Sequence, residues 1–437
     1  MNRIILIGNG FDLAHGLKTS YRDFIDDFWE TEKTQLIKKA QAGDKNIIEN
    51  DVIKTRGIYG ILRELLQNEN LNGYNWFKSI PSEYITYKNV FLRDISNNRI
   101  LKNWVDIEEE YYTCLLKCSG YISSHNLIRL EKLNNEFEFI KKALEKYLSN
   151  GVGNNTYTSR IGAIHGLFYD NFKVEDFPRS KEKLLIDYAF DILQNSHDEY
   201  YRRLRKNAFE GIKRKYHINN YVTEEDIRNY LEDRDSGGYY LNKIYPQHTL
   251  ILNFNYTNTE SLYSSYADYK AGKFPSPIIN DDSLPILNIQ TIHIHGELNN
   301  ENNPIIFGYG DELAAAYKEI EKLNNKNYYK NIKSIKYLQT DNYRQMLNFI
   351  DSNHYQIYIF GHSCGNSDRT LLNTLFEHKN CVSIKPFFYE EEANGGKTDD
   401  YEDIIINMSR NFNSKKLFRA KVVNKTRCEP LPQCEKD

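Results

Sequence analysis

Residues 3–8 read Arg-Ile-Ile-Leu-Ile-Gly, an unbroken apolar run rich in β-branched residues that stops at a glycine. A strand with one wet face alternates apolar and polar residues. A run without alternation is the pattern of a strand covered on both faces. That requirement points to a sheet sandwiched between layers of helices.

The rest of the chain fits that frame. A helix-competent segment follows from about Asp12 or Thr19, marked by Leu13, Leu17, Phe24 and Phe28, so the chain opens strand, glycine turn, helix. Strand-like runs return at 248–253, 286–295, 304–308, 355–360 and 382–389, with helical stretches at 312–324, 341–352, 367–378 and 401–412. Short buried strands alternating with helices predict an α/β fold, a Rossmann-like, mostly parallel sheet flanked by helices with right-handed crossovers. From about residue 30 to 245 the apolar spacing is three and four, as in the stripe Leu130, Leu133, Phe137, Ile140, Leu144 and Leu148. The predicted organisation is an α/β nucleotide-binding core from 1–30 plus 245–415, a large, mostly helical insertion at 31–244, and a polar C-terminal tail at 416–437.

Composition excludes several function classes. The 57 basic and 60 acidic residues nearly cancel, so no global field draws the chain to nucleic acid or lipid. Six cysteines in 437 residues are too sparse for a disulfide framework, and no paired C-x-x-C marks a zinc site. The run Ile4–Ile7 is too short for a signal peptide, and no apolar stretch of about 18 residues occurs. The expected setting is reduced, cytoplasmic and without a membrane.

Ligands of such sheets bind beyond the carboxyl ends of the strands. Four polar clusters fall there. The first is Gly8-Asn9-Gly10-Phe11-Asp12-Leu13-Ala14-His15-Gly16. Its glycines allow close backbone approach, but Leu13 replaces the third glycine of the dinucleotide fingerprint. Asp12 suits ribose hydroxyls, a general base or a helix cap, and would repel a phosphate on this turn. The second, Asn253-Phe254-Asn255-Tyr256-Thr257-Asn258-Thr259, orients a sugar or water, or forms an Asx turn. The third is His293-Ile294-His295-Gly296-Glu297. Strand periodicity puts both imidazoles on one face, as a catalytic histidine before a glycine or as a metal pair. The fourth, Gly361-His362-Ser363-Cys364-Gly365-Asn366-Ser367-Asp368, offers backbone donors and Ser363 to a phosphate or ribose. It also satisfies G-x-S-x-G, so a serine hydrolase competes, with His378 the available downstream histidine.

The segments LIGNGFDLAHGLKTSYRDF, LNFNYTNT, IHGELN, IIFGYGDE and IFGHSCGNSD, in this order, resemble the AbiH family of bacteriophage abortive infection proteins. NWVDIEEEYY, with Trp104, Asp106, Glu108 and Glu109, extends the likeness weakly into the helical block. A more distant resemblance is to sirtuin-type NAD-consuming domains. It matches Gly8 and Gly10 to a glycine loop, Asn255 to a motif asparagine, His295 to a motif histidine, and Gly361 and Ser363 to a late loop. Asp12 and Thr257 depart from that pattern. The resemblance implies an anti-phage NAD glycohydrolase, with NAD as substrate and no metal. Asn255, His295 and Asp12 are then catalytic, with His295 as base. Gly8, Asn9, Gly10, Phe11, His15, Gly296, Gly361, His362, Ser363 and Asp368 hold the nucleotide ligand, the glycine loop and the 361–368 turn taking its diphosphate and ribose. A phage-derived trigger and a homo-oligomer are expected partners.

Two other classes compete. A sensing module without catalysis would bind nucleic acid or a phage protein through basic stretches at 202–216 and 326–337, the latter including Lys326, Lys330, Lys333 and Lys336. Solvated helix faces are the simpler reading of both. A metal-dependent hydrolase would use His293 and His295.

Overall fold

The computed structural model describes residues 1–42, 49–61, 64, 70–71, 73–98, 104–121, 129–152, 160–264, 285, 288–393 and 396–434. Its centre is a parallel sheet of five strands: β1 (Asn2–Ile7), β2 (His248–Asn253), β3 (Asn288–His293), β4 (Tyr355–Phe360) and β5 (Cys381–Phe387). The spatial order is β3-β2-β1-β4-β5, and all pairs are parallel. The helices that build the sheet layers and the site are α1 (Asn9–Ala14), α2 (Tyr21–Gln41), α3 (Trp104–Cys118), α4 (Leu130–Tyr147), α5 (Gly162–Phe168), α6 (Asn342–Ser352), α7 (Arg369–Glu377) and α8 (Tyr401–Arg410).

The unbroken hydrophobicity of β1 has a direct cause. Ile4 and Leu6 pack with Leu250, Leu252, Ile357 and Ile359 against α6, α7 and α8. Ile5 and Ile7 point to the other face and meet Phe11 and Ala14 of α1 and Ile164 and Phe168 of α5. Arg3 is tolerated inside this strand because its guanidinium donates to the carbonyls of Asp170 and Asn171 and lies 4.2 Å from the Tyr358 ring centroid.

The expected insertion therefore supplies one layer of the sheet. Its other helices form two cores. In one, α2, α3 and α4 pack with Ile305, Phe307, Tyr309, Ile320 and Ile332 from beyond β3. In the other, helices Arg179–Asn195, Glu199–Tyr216 and Glu224–Glu232 pack with Met1 and Val382. Each core borrows apolar residues from the α/β part.

Three expectations need correction. Residues 304–308 do not form a sheet strand. Pro304 has no N–H to donate, Ile306 donates to the His295 carbonyl at 2.7 Å, and Gly308 donates to Glu108 at 3.1 Å. In the run 286–295, strand β3 covers only Asn288–His293, and 286–287 lie outside the described residues. The segment expected as a polar tail is built into the molecule through Cys434. Val423 donates to Ile384, Leu431 to Phe388, and Cys434 to Ala14, at 2.9, 2.8 and 2.8 Å. All six cysteines are unpaired. Among the described residues no helix is long and apolar enough to cross a membrane.

Candidate active site

Register places the four clusters in one row. Ile7 pairs with both Asn253 and Phe360, and Asn253 pairs with His293. The carboxyl ends of β1 to β4 are therefore level, and the residues just beyond them lie side by side. Helix α1 leaves β1 on one face, while α7 leaves β4 on the other. The crevice at such a reversal of strand order is where open α/β sheets bind ligands. A cavity of about 580 Å³ opens there. Its wall includes Gly8, Asn9, Gly10 and Asp12 from the first cluster, Asn255 and Thr257 from the second, His295 from the third, and Gly361, His362, Ser363 and Asp368 from the fourth.

The glycines serve backbone packing. A Cβ on Gly8 would stand 2.5 Å from the His362 Cα, and one on Gly10 would stand 2.8 Å from the Gly361 Cα. Gly361 has φ +66°, and a Cβ there would lie 2.2 Å from the Phe11 nitrogen. Side chains at these positions would force the loops after β1 and β4 apart. The amides are engaged as well. Gly8 donates to Phe360, Gly10 to Gly361, and Phe11 to the Gly8 carbonyl, at 3.0, 2.8 and 2.9 Å. The bonds from Gly8 and Gly10 hold the two loops together, and the one from Phe11 closes the turn itself. The amides of Gly8, Gly10 and Phe11 are thereby spent within the protein.

Asp12 is buried on the cavity wall and accepts from the Thr257 hydroxyl at 2.6 Å. Its Oδ1 has no hydrogen-bond partner. Burial raises the carboxyl from 3.8 to about 6, opposed by Thr257, Thr259 and Asn255 and assisted by the charge of Glu260. Asn255 donates its amide to the Gly8 carbonyl at 3.0 Å, which ties the second cluster to the first.

The opposite wall is organised by Lys333. This side chain is 2 % exposed, and its Nζ lies 2.8 Å from both Glu108 and Asp368. Of the two readings of residues 326–337, a solvated face and the competing nucleic-acid contact, the buried Lys333 fits neither. Burial alone would raise the Asp368 carboxyl, but Lys333, His295 and His362 outweigh it and hold it well below the usual range. Glu108 is pushed up by burial and by the charge of Asp368, with Lys333 opposing. His295 Nε2 lies 3.2 Å from Asp368 and 3.1 Å from the Tyr337 hydroxyl. Burial and then the Lys333 charge lower its imidazole to about 4. A neutral ring that donates Nε2–H to a carboxylate keeps its lone pair on Nδ1. His362 Nδ1 accepts from the Cys364 amide at 3.0 Å, which leaves the proton on Nε2, facing Asp368 at 3.6 Å. Phe254 stands edge-on to both imidazoles.

Four singled-out residues lie elsewhere. Phe11 is core, among Phe168, Tyr263 and Phe360. His15 donates through Nδ1 to the Phe11 carbonyl and meets the Tyr263 hydroxyl at Nε2. Gly296, at φ +87°, gives room to the Pro304 carbonyl. His293 is the last residue of its strand, so period two does not carry on to His295. Its Nε2 meets Glu260 at 3.0 Å and Glu297 at 3.4 Å, away from Asp368. Among the described residues no group of three or more His, Cys, Asp and Glu is placed to hold a metal. For the serine-hydrolase reading, His378 stacks on Tyr355, at the amino end of β4, one whole strand from Ser363.

The chain matches the family described as Bacteriophage abortive infection AbiH over residues 4–390. The chain belongs to the AbiH family. No curated protein and no solved structure matches it. The matched span of this AbiH chain holds every charged residue of the inner wall, from Asp12 to Asp368. Helix α8 and the strap with Leu431 and Gln433, which complete the cavity, lie beyond it. Sequence reasoning missed the roles of Glu108 and Lys333. Glu108 did carry a signal, because Trp104, Tyr111, Tyr112 and Leu115 place it on the apolar stripe of α3.

Proposed function

We propose that this AbiH-family chain is an anti-phage abortive-infection effector that hydrolyses the bond between nicotinamide and ribose in NAD. The observation that carries the reading is the single cavity into which the ends of β1, β2, β3 and β4 bring Asp12, Asn255, His295 and Asp368. The nicotinamide ribose lies against Asn255 and Asp12. The C1′–N bond breaks with its electron pair passing to the pyridinium nitrogen, which leaves positive charge on the ribose. The carboxylates of Asp12 and Asp368 oppose that developing charge in a site of low dielectric. Water adds to C1′ and passes its proton to Asp12. An acid near 6 is ionised at neutral pH yet basic enough to take that proton. His295, lowered to about 4, is the weaker base and serves to orient the ribose or the water through Nδ1. A phage-derived trigger releases the activity, and loss of NAD stops phage and host together.

The test is nicotinamide release from NAD by the purified chain, with and without extract of phage-infected cells. Release that disappears in Asp12→Asn supports the reading. No release under any of these conditions, together with no bound nucleotide, would overturn it.

A further inference from the structure

Charge is unevenly distributed over the cavity wall. Asp12, Glu108, Asp368, Asp400 and Asp403 line it, whereas Lys333 is the one lysine or arginine among the described lining residues. That lysine already holds two carboxylates at 2.8 Å each. The amides of Gly8, Gly10 and Phe11 are bound to backbone carbonyls, and the Cys364 amide is bound to His362. These four donors are therefore spent on the protein itself, and the wall that a diphosphate would meet carries more carboxylate than ammonium charge. The same wall is rich in aromatic faces, with Trp104, Phe254, Tyr256, Phe307, Phe387 and Tyr389. Carboxylates combined with aromatic rings recognise organic cations. Asp12, 1 % exposed, lines this space with a carboxylate whose Oδ1 makes no hydrogen bond.

Resting on the NAD reading above, we propose that the cavity takes the N-ribosylpyridinium half of its substrate, through the positive ring and the ribose hydroxyls, and makes no use of phosphate charge. Nicotinamide riboside, a cation with no phosphate, is then as good a ligand as NAD or a better one. Asp12 accepts a ribose hydroxyl through its carboxylate, the pyridinium ring lies among the aromatic side chains, and Asp400 and Asp403 draw the cation in from the rim.

The test is calorimetric titration of the full chain with nicotinamide riboside, NAD, ADP and inorganic pyrophosphate, with nicotinamide release followed in parallel. The riboside is expected to bind at least as tightly as NAD, and neither ADP nor pyrophosphate is expected to displace it. Asp403→Lys, an exposed substitution on α8 whose folding is checked by its melting curve, is expected to weaken the riboside by about tenfold. Competition by ADP or pyrophosphate, or a riboside affinity more than about tenfold below that of NAD, sinks the inference and leaves NAD cleavage standing. If neither pyridinium ligand is bound or cleaved, both fall.

Discussion

At the scale of single residues, Asp12 joins stability to chemistry in a measurable way. Its carboxyl is raised from 3.8 to about 6, first by burial. A raised acid binds its proton more tightly in the folded than in the unfolded chain. Its effect on stability is therefore absent below 3.8, grows as a penalty between 3.8 and about 6, and is complete above 6. Asp12→Asn should stabilise the protein at pH 8 by on the order of 3 kcal/mol, with the gain vanishing toward pH 4. The same change should lower nicotinamide release by about 10²- to 10⁴-fold. Denaturant unfolding at both pH values, beside the assay, checks this; loss of stability at pH 8 would mark Asp12 as structural. Gly361→Ala combines φ +66° with a contact of 2.2 Å to backbone. It should destabilise by more than about 3 kcal/mol or prevent folding, read from soluble yield and melting. That these positions need glycine was legible in the sequence. That they need it for each other was not, because the partner loop follows the neighbouring strand, which is far away in sequence.

At the scale of elements, the strands were read correctly where burial on both faces leaves a nearly unbroken apolar run, as in β1 and β4. The run 304–308 was misread because an apolar segment wedged between two cores has the same composition as a buried strand. Helix α3 is tied to the α/β part through Glu108, Lys333 and Asp368. Lys333→Met leaves two buried carboxylates facing each other and should destabilise by about 3–5 kcal/mol. Adding Glu108→Gln should recover part of that loss, because one of the two charges is gone. A double-mutant cycle in urea measures the coupling, and strictly additive effects would show that the three groups do not act together. In the strap, Leu431 is buried against Phe388 and the sheet. Leu431→Ala should lower stability by about 2–4 kcal/mol, seen as a lower denaturation midpoint.

At the scale of the whole molecule, the middle block is part of the fold. A chain joining residues 1–30 directly to 245–437 loses Ile164, Phe168 and Tyr169, and it bares Ile5, Ile7, Ile251, Tyr358 and Phe360. Such a chain should aggregate or bind a hydrophobic dye strongly; a cooperative melt with native near-ultraviolet dichroism would contradict this. Sequence alone determined the α/β class, the parallel strands, the glycine turns and which polar residues follow each strand. Those features depend on neighbours a few positions away and on whether a segment is buried. Only the tertiary structure decided which polar groups meet, since proton affinity and ion pairing depend on partners brought together by folding. Glu108 and Lys333 are 225 positions apart and share one buried contact.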